Sequence, residues 1–297
     1  MSPDPIFPGV DEHETARNLR RHVEELAGLG PRSTRRPEAL ARAADYIEQQ
    51  LRGFGYTTRD LSFRSDGLDV RNIDAERRGG ARAGDIVVLG GHYDTVDSSP
   101  GANDNGSGIA ALLELARLYA SASPTVTLRF AAFVNEEPPF FMTEEMGSLV
   151  YARACRARGD RIVAMYALET IGYYTDDPST QEYPEPFHLL FPSVGNFIAM
   201  VANFRSATLL AHTIGAFRRR SSLPALGAPA PESVPGVSWS DHWSFWEQGY
   251  PAVMLTDTAP FRYPHYHAPT DTPDKLDYAR MAALVRGMTS VIGAIGE

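Results

Sequence analysis

The sequence predicts an α/β fold: one domain, residues 1–297, built on a mixed, mainly parallel central sheet with helices on both faces. Three observations carry that expectation. Short runs that are apolar throughout, such as Ile86-Val87-Val88-Leu89, have the composition of strands covered on both faces. They alternate along the chain with longer segments whose apolar residues recur at helical spacing. A length of 297 residues, 43% hydrophobic and 22% charged, suits one sizeable core, and no internal repeat or separating linker interrupts it.

The chain opens with two helices. Residues 12–29 place Leu19, Val23 and Leu26 on one face, and residues 37–52 do the same with Leu40, Ala44, Ile47 and Leu51 before Gly53 or Gly55 ends the second. Residues 57–63 and 70–77 alternate apolar and polar side chains, the pattern of a hairpin with one wet face. After the buried strand at 86–89, a helix is predicted over 106–120, apolar around much of its circumference through Ile109, Leu112, Leu113, Leu115, Ala116, Leu118 and Tyr119. A buried strand follows over 125–134. A helix near 144–157, strands at 162–168 and 187–191, and a helix near 194–214 continue the series. The Pro, Gly and Ser-rich stretch 221–238 reads as a loop on the rim of a cleft. A helix near 241–248, a strand at 252–255 and a closing helix over 277–294 complete the pattern.

Composition removes several function classes. A formal net charge of -9 argues against a nucleic-acid partner, whose phosphates need clustered Lys and Arg. The run Arg218-Arg219-Arg220 reads as a solvated helix end. Bound dications would offset part of the acidity. Cys155 is the single cysteine, so no intrachain disulfide and no thiolate zinc site is available, and any metal must be held by His, Asp and Glu. No stretch approaches the ~18 apolar residues of a membrane span, and residues 1–35 carry no apolar secretory core. A cytoplasmic location without a membrane partner is the expectation, and the oligomeric state is not legible.

Ligands of open α/β sheets bind beyond the carboxyl ends of the strands. At those ends stand His92 after 86–89, Glu136 and Glu137 after 125–134, Glu169 after 162–168, and His267 in the loop after 252–255. Singly, each has an ordinary explanation. Glu136-Glu137 reads as a solvated pair, Asp104-Asn105-Gly106 as a turn, and Gly106-Ser107-Gly108 as a helix opening. Their order does not. Gly91-His92-Tyr93-Asp94, Ala102-Asn103-Asp104-Asn105-Gly106-Ser107-Gly108, Asn135-Glu136-Glu137, Leu168-Glu169-Thr170-Ile171-Gly172 and His267-Ala268-Pro269-Thr270-Asp271-Thr272 together resemble the M28-type di-zinc aminopeptidases, a family of co-catalytic metallopeptidases. The resemblance spans residues 91–272.

It implies a zinc exopeptidase-like fold and two Zn2+ ions bridged by Asp104. His92 and Glu169 would complete one ion's shell, and Glu137 and His267 the other's. The family often has Asp where this chain has Glu169. Glu136 would be the general base and acid, Tyr266 a donor to the developing oxyanion, and the peptide between Asp104 and Asn105 cis. The implied substrate is a peptide or small amide, cleaved at its N-terminus. Two alternatives share the fold: a single-zinc glutaminyl cyclase, and a binding protein without catalysis. No Gly-x-Ser-x-Gly elbow is present, which counts against a serine hydrolase. Cobalt or manganese tolerates similar ligands.

Asp94, two residues after His92 in extended backbone, is expected to orient the imidazole, with comparable support from Asp241 and Asp271. His13 and His22 fall on an early exposed helix, and His188 and His212 read as structural or surface residues. His242 and His265 lie nearer the cleft, His265 being the rival of His267. Tyr173, Tyr174, Phe197, Phe204, Trp239, Trp243, Phe245 and Trp246 form either an aromatic pocket or core.

Overall fold

The computed structural model describes residues 9–185 and 187–296. Residues 1–8, included in the reading of the amino terminus, lie outside the described residues. Helix α1, Glu12–Ala27, starts at Asp11, whose carboxylate accepts from the backbone N–H of His13 (2.9 Å) and Glu14 (3.1 Å). Helix α2, Pro37–Gly53, has Pro37 in its first turn, where a missing N–H costs nothing. Strands β1 (Thr58–Ser65) and β2 (Leu68–Arg77) form an antiparallel hairpin that turns at Asp66-Gly67, both at positive φ.

From β3, Arg82–His92, strands and helices alternate: α3 (Gly108–Tyr119), β4 (Val126–Phe133), α4 (Gly147–Arg158), β5 (Ile162–Glu169), β6 (Ile198–Val201), α5 (Ala207–Arg218), β7 (Ala225–Leu226), α6 (His242–Glu247), β8 (Ala252–Thr256), α7 (Ala259–Arg262) and α8 (Tyr278–Gly296). The eight strands make one sheet in the order β1-β2-β4-β3-β5-β8-β6-β7. β4, β3, β5 and β8 are parallel neighbours, while β2 and β6 run antiparallel to the strands inside them. Every residue of β4 and β8 is buried, so helices cover both faces, as the continuous apolar runs require. Helix α1 packs on α3 and α8, and α4 on α6. Among the described residues, no helix is long and apolar enough to cross a membrane.

Three expectations are corrected. Residues 187–191 are not a strand: Phe187–Leu189 is a single 3-10 turn, and Leu189 and Leu190 are 75% and 72% exposed. The strand lies further on, at Ile198–Val201, inside the stretch expected to begin a helix, because β8 offers it an antiparallel edge from Met254 to Thr256. The helix starts only after Asn203, whose side chain accepts from Ser206 N–H (3.0 Å). His22 is also not exposed. It is buried, with Nδ1 2.6 Å from the Tyr46 hydroxyl.

Candidate metal centre

His92 and Glu169 are the last residues of β3 and β5, Glu136 and Glu137 follow β4, and His267 stands in the loop beyond β8 and α7. Asp104 lies on the irregular turn Ala102–Ser107 between β3 and α3. Parallel strands bring these positions to one edge, and the side chains meet there. His92 Nε2 is 3.3 Å from Asp104 Oδ1 and 3.3 Å from Glu169 Oε2. His267 Nε2 is 3.0 Å from Asp104 Oδ2 and 3.3 Å from Glu137 Oε2. Asp104 thus presents one oxygen to each imidazole. Glu136 Oε2 is 3.8 Å from His92 Nε2. His265 is not in the cluster, its Nδ1 being bonded to Thr270 Oγ1 at 2.9 Å.

Whether these donors fit a cation is decided by how they are paired. His92 Nε2, His267 Nε2 and Glu137 Oε1 are buried without a hydrogen-bond partner among the described residues, although carboxylate oxygens lie close to both nitrogens. Buried donor atoms gathered this closely and left unpaired fit a metal ion, and imidazole nitrogen with carboxylate oxygen is a zinc donor set. Three trios, His92-Asp104-Glu169, Asp104-Glu137-His267 and His92-Glu136-Glu137, each bring three donor atoms within 4.8 Å of one another.

The Asp104 turn is pinned from several sides. The peptide between Asp104 and Asn105 is cis. Asp271 accepts from the backbone N–H of Asn103 (2.8 Å) and Asp104 (3.2 Å) and from the Tyr263 hydroxyl (2.8 Å). Asn105 donates to the Leu168 carbonyl (2.8 Å) and accepts from Thr170 N–H (3.1 Å), tying the turn to the end of β5. Gly101 opens the turn at φ 64, and its carbonyl accepts from Gly106 N–H (3.1 Å) and from Arg32 Nη2 (3.0 Å). A Cβ at Gly101 would collide with Thr95 Cγ2 and the Asp104 carbonyl.

Sequence reasoning passed over Arg32. Its guanidinium is fully buried and bonded to main-chain carbonyls, donating to Tyr93 (2.8 Å), Leu26 (3.1 Å), Pro100 (2.6 Å) and Gly101. Burial pulls its pKa down to about 10 against the field of Asp271, Asp94, Asp104 and Glu137. The side chain therefore sets a fixed positive charge behind the acidic cluster. Its neighbours Ser33, Arg35 and Arg36 give the segment the look of solvated charge, so no sequence signal marked it.

Asp94 does less for His92 and more for the two glutamates than expected. His92 Nδ1 lies 3.1 Å from the Asp94 main-chain carbonyl, with the Asp94 carboxylate farther off at 3.6 Å. That carboxylate accepts instead from the backbone N–H of Glu136 and Glu137, both at 3.1 Å, which fixes the two consecutive side chains. Support for Glu169 comes from Ser240, whose hydroxyl donates to Oε2 at 2.6 Å, while the neighbouring Asp241 carboxylate is buried beside Ser148.

Electrostatics follow the burial. Desolvation raises the Glu136 carboxyl well above its ordinary value, with Glu169, Glu137 and Asp241 adding to the shift and His92 opposing it. Desolvation raises Glu137 to about 7. Burial alone would raise Asp104 too, but His267 and His92 hold it below the usual carboxylate range. His267 is pushed up to about 10 against its burial by Asp104 and Glu137. Tyr266 stacks on the His267 ring (3.8 Å, 19°), its hydroxyl making no hydrogen bond among the described residues, and burial pushes its phenol far up.

Beside the cluster, Glu169 and Tyr266 line a cavity of about 940 Å³, measured with its opening. Tyr183, Phe187, Phe191, Phe197, Met200, Trp239, Met254 and Phe261 line it with them, and Glu169 is its only charged side chain among the described residues. The Phe191 ring stacks between Tyr183 (5.8 Å) and Phe187 (6.2 Å). The stretch 221–238, a loop apart from β7, supplies one wall through Leu226, Val234 and Val237. Of the eight aromatic residues singled out, only Phe197 and Trp239 line this cavity. Tyr174, Phe245 and Trp246 are buried in the core, Trp243 is half-buried elsewhere, Phe204 is 64% exposed, and Tyr173 packs on Tyr263. His242 is buried, its Nε2 2.8 Å from the Val237 carbonyl.

Comparison with known proteins agrees with this geometry. Residues 72–292 match the model of peptidase family M28. The Escherichia coli (strain K12) protein YfbL is 35% identical over 296 residues, covering 96% of this chain and 90% of that one. Three longer curated relatives are spanned to 36%, 40% and 54% of their lengths. Among solved structures, the Bacillus subtilis zinc aminopeptidase BSAP superposes with a TM-score of 0.72 at 16% identity (93% of this chain, 94% of that one). A glutaminyl cyclase from Fimbriiglobus ruber superposes with a TM-score of 0.72 at 21% identity (94% and 95%).

Proposed function

Because the chain belongs to peptidase family M28, and is thereby a zinc-dependent exopeptidase, we propose that it is an aminopeptidase releasing N-terminal residues with bulky apolar side chains. The observation that carries this reading is the apolar cavity opening on an acidic cluster. A carboxypeptidase must hold a carboxylate, and no Lys, Arg or His lines the cavity among the described residues. Glu169 in its lining, clustered with Asp104, Glu136 and Glu137, favours a free ammonium group instead.

In this reading His92, Asp104 and Glu169 would hold one zinc ion, and Asp104, Glu137 and His267 a second. Zinc bound there supplies Lewis acidity toward a carbonyl and toward water. The chain's own residues do the rest. Glu136, which also stands within reach of His92 and Glu137 but is left free of the metals in this reading, takes the proton of the attacking water and hands it to the departing amine. Its raised carboxyl affinity for protons suits that role, and the Asp94 clamp on its backbone N–H keeps the carboxylate in place. Tyr266 donates its free hydroxyl to the carbonyl oxygen as negative charge builds there, and its raised phenol pKa keeps the donor protonated.

The likeness to a glutaminyl cyclase fold supports a second reading, ring closure of an N-terminal Gln. The two part on products. The zinc-loaded protein is given peptides beginning with Leu, with Gln and with N-acetyl-Leu, and products are read by mass spectrometry. Aminopeptidase action releases Leu from the first only, with the acetylated peptide untouched. Loss of one ammonia from the Gln peptide without any chain shortening would establish the cyclase instead. Turnover of neither would leave a binding protein.

A further inference from the structure

We propose that the loop Pro138–Met142 binds the residue on the far side of the scissile bond and gives the enzyme a preference for an apolar second residue in its peptide. The inference rests on the aminopeptidase reading. There the acyl residue's side chain enters the cavity beside Glu169 and Tyr266, and the departing amine takes its proton from Glu136. The residue carrying that amine therefore lies against Glu136, and the segment leaving Glu137 follows directly on that residue in the chain.

That segment reads Pro138-Pro139-Phe140-Phe141-Met142, five consecutive uncharged apolar residues. Pro138 and Pro139 are exposed, and Phe140, Phe141 and Met142 are half-buried. None of the five belongs to the described hydrophobic core or packs against it, and none lines the cavity on the Glu169 side. A run of this composition that stays outside the core beside a catalytic cluster has the chemistry of a binding surface. It is also held in shape before any ligand arrives. Phe140 N–H donates to the Glu137 carbonyl (3.0 Å), and Thr143 donates to the Phe140 carbonyl from N–H (2.9 Å) and Oγ1 (2.6 Å). Met142 N–H meets Met146 Sδ at 3.4 Å, and Asn135 Nδ2 donates to Ser65 Oγ at 2.8 Å, anchoring the entry to the loop. Exposed Glu145 adds negative charge that opposes an acidic occupant, while Glu144 is paired with Arg153.

The test uses zinc-loaded full-length protein and tripeptides Leu-X-Ala with X as Phe, Leu, Lys or Glu, so that only the second residue varies. For the native chain, kcat/KM for X = Phe exceeds that for X = Glu by about tenfold or more, the scale on which an apolar site discriminates. Phe140→Ser and Phe141→Ser lower that ratio severalfold, while zinc content and the preference for Leu over Gly at the first position stay unchanged. The milder Phe140→Leu and Phe141→Leu lower it by less, and they guard against misfolding of the serine variants. Release of Leu at equal rates from all four peptides overturns the inference and leaves the aminopeptidase reading standing. A ratio unmoved by folded variants also overturns it. No release of Leu from any peptide overturns both.

Discussion

Replacing Arg32 with Met tests how the acidic centre is held together. Arg32 donates at 2.6–3.1 Å to the carbonyls of Tyr93, Leu26, Pro100 and Gly101, all lost on removal of the guanidinium. A buried acceptor left unpaired costs about 1–3 kcal/mol, so four come to about 4 kcal/mol at the lower end. Relief from burying the cation offsets part of this, leaving a loss of roughly 2–4 kcal/mol, a large share of the 5–15 kcal/mol that ordinarily separates folded from unfolded chains. The Gly101 carbonyl also anchors the turn that carries Asp104, so the same change is expected to weaken zinc binding about 10–100-fold, the usual effect of losing a residue that supports metal ligands. Urea unfolding in the presence of a chelator measures the first effect, and competition with a chromophoric chelator the second. Arg32→Lys, which keeps the charge with fewer and less directed donors, falls between the two proteins in both assays. A Met variant within ~1 kcal/mol of the native chain by the linear-extrapolation method, with zinc affinity unchanged, would refute the reasoning.

Glu136→Gln keeps the side-chain shape and removes the base. Zinc affinity stays within a few-fold, while kcat on Leu-initiated peptides falls about 10²–10⁴-fold, and retention of near-native kcat would remove Glu136 from the chemistry. Acid sensitivity comes partly from two histidines away from the reacting atoms. Burial depresses His22 to about 3 and His242 to about 4, below the ordinary 6.5. As pH falls below about 6.5 the unfolded chain binds these protons first, so the stability they confer is full above that pH and is lost on the way down toward pH 3–4. At pH 5 each costs about 2 kcal/mol. His22→Gln therefore flattens the fall in urea midpoint between pH 7 and pH 5, measured with metal removed, and an unchanged slope would count against the buried neutral imidazole.

Much of the fold is legible because the buried strands are short apolar runs bounded by turn residues, because helices α1 and α2 carry apolar residues on one face, and because α3 is a long apolar run at helical spacing. The misplaced strand shows where that signal fails. Phe187-His188-Leu189-Leu190-Phe191 has the length and apolarity of a strand, yet Phe187 and Phe191 face the cavity and the two leucines face solvent. Ile198–Val201 is only four residues long and merges with the helical periodicity after it, so its assignment depends on the edge of β8, which no local pattern contains. The site divides in the same way. His92, Asp104, Glu136, Glu137, Glu169 and His267 sit at strand ends and in a compact turn, where local sequence already reports position. Arg32 and Ser240 act through contacts across tens of residues, and only the folded chain brings Arg32 to the Pro100 and Gly101 carbonyls or Ser240 to Glu169.

The most direct measurement is anomalous diffraction at the zinc edge from crystals of the zinc-loaded protein. The account predicts two peaks flanking Asp104, one contacted by His92 and Glu169 and the other by Glu137 and His267. A single peak, or zinc bound away from Asp104, would contradict it.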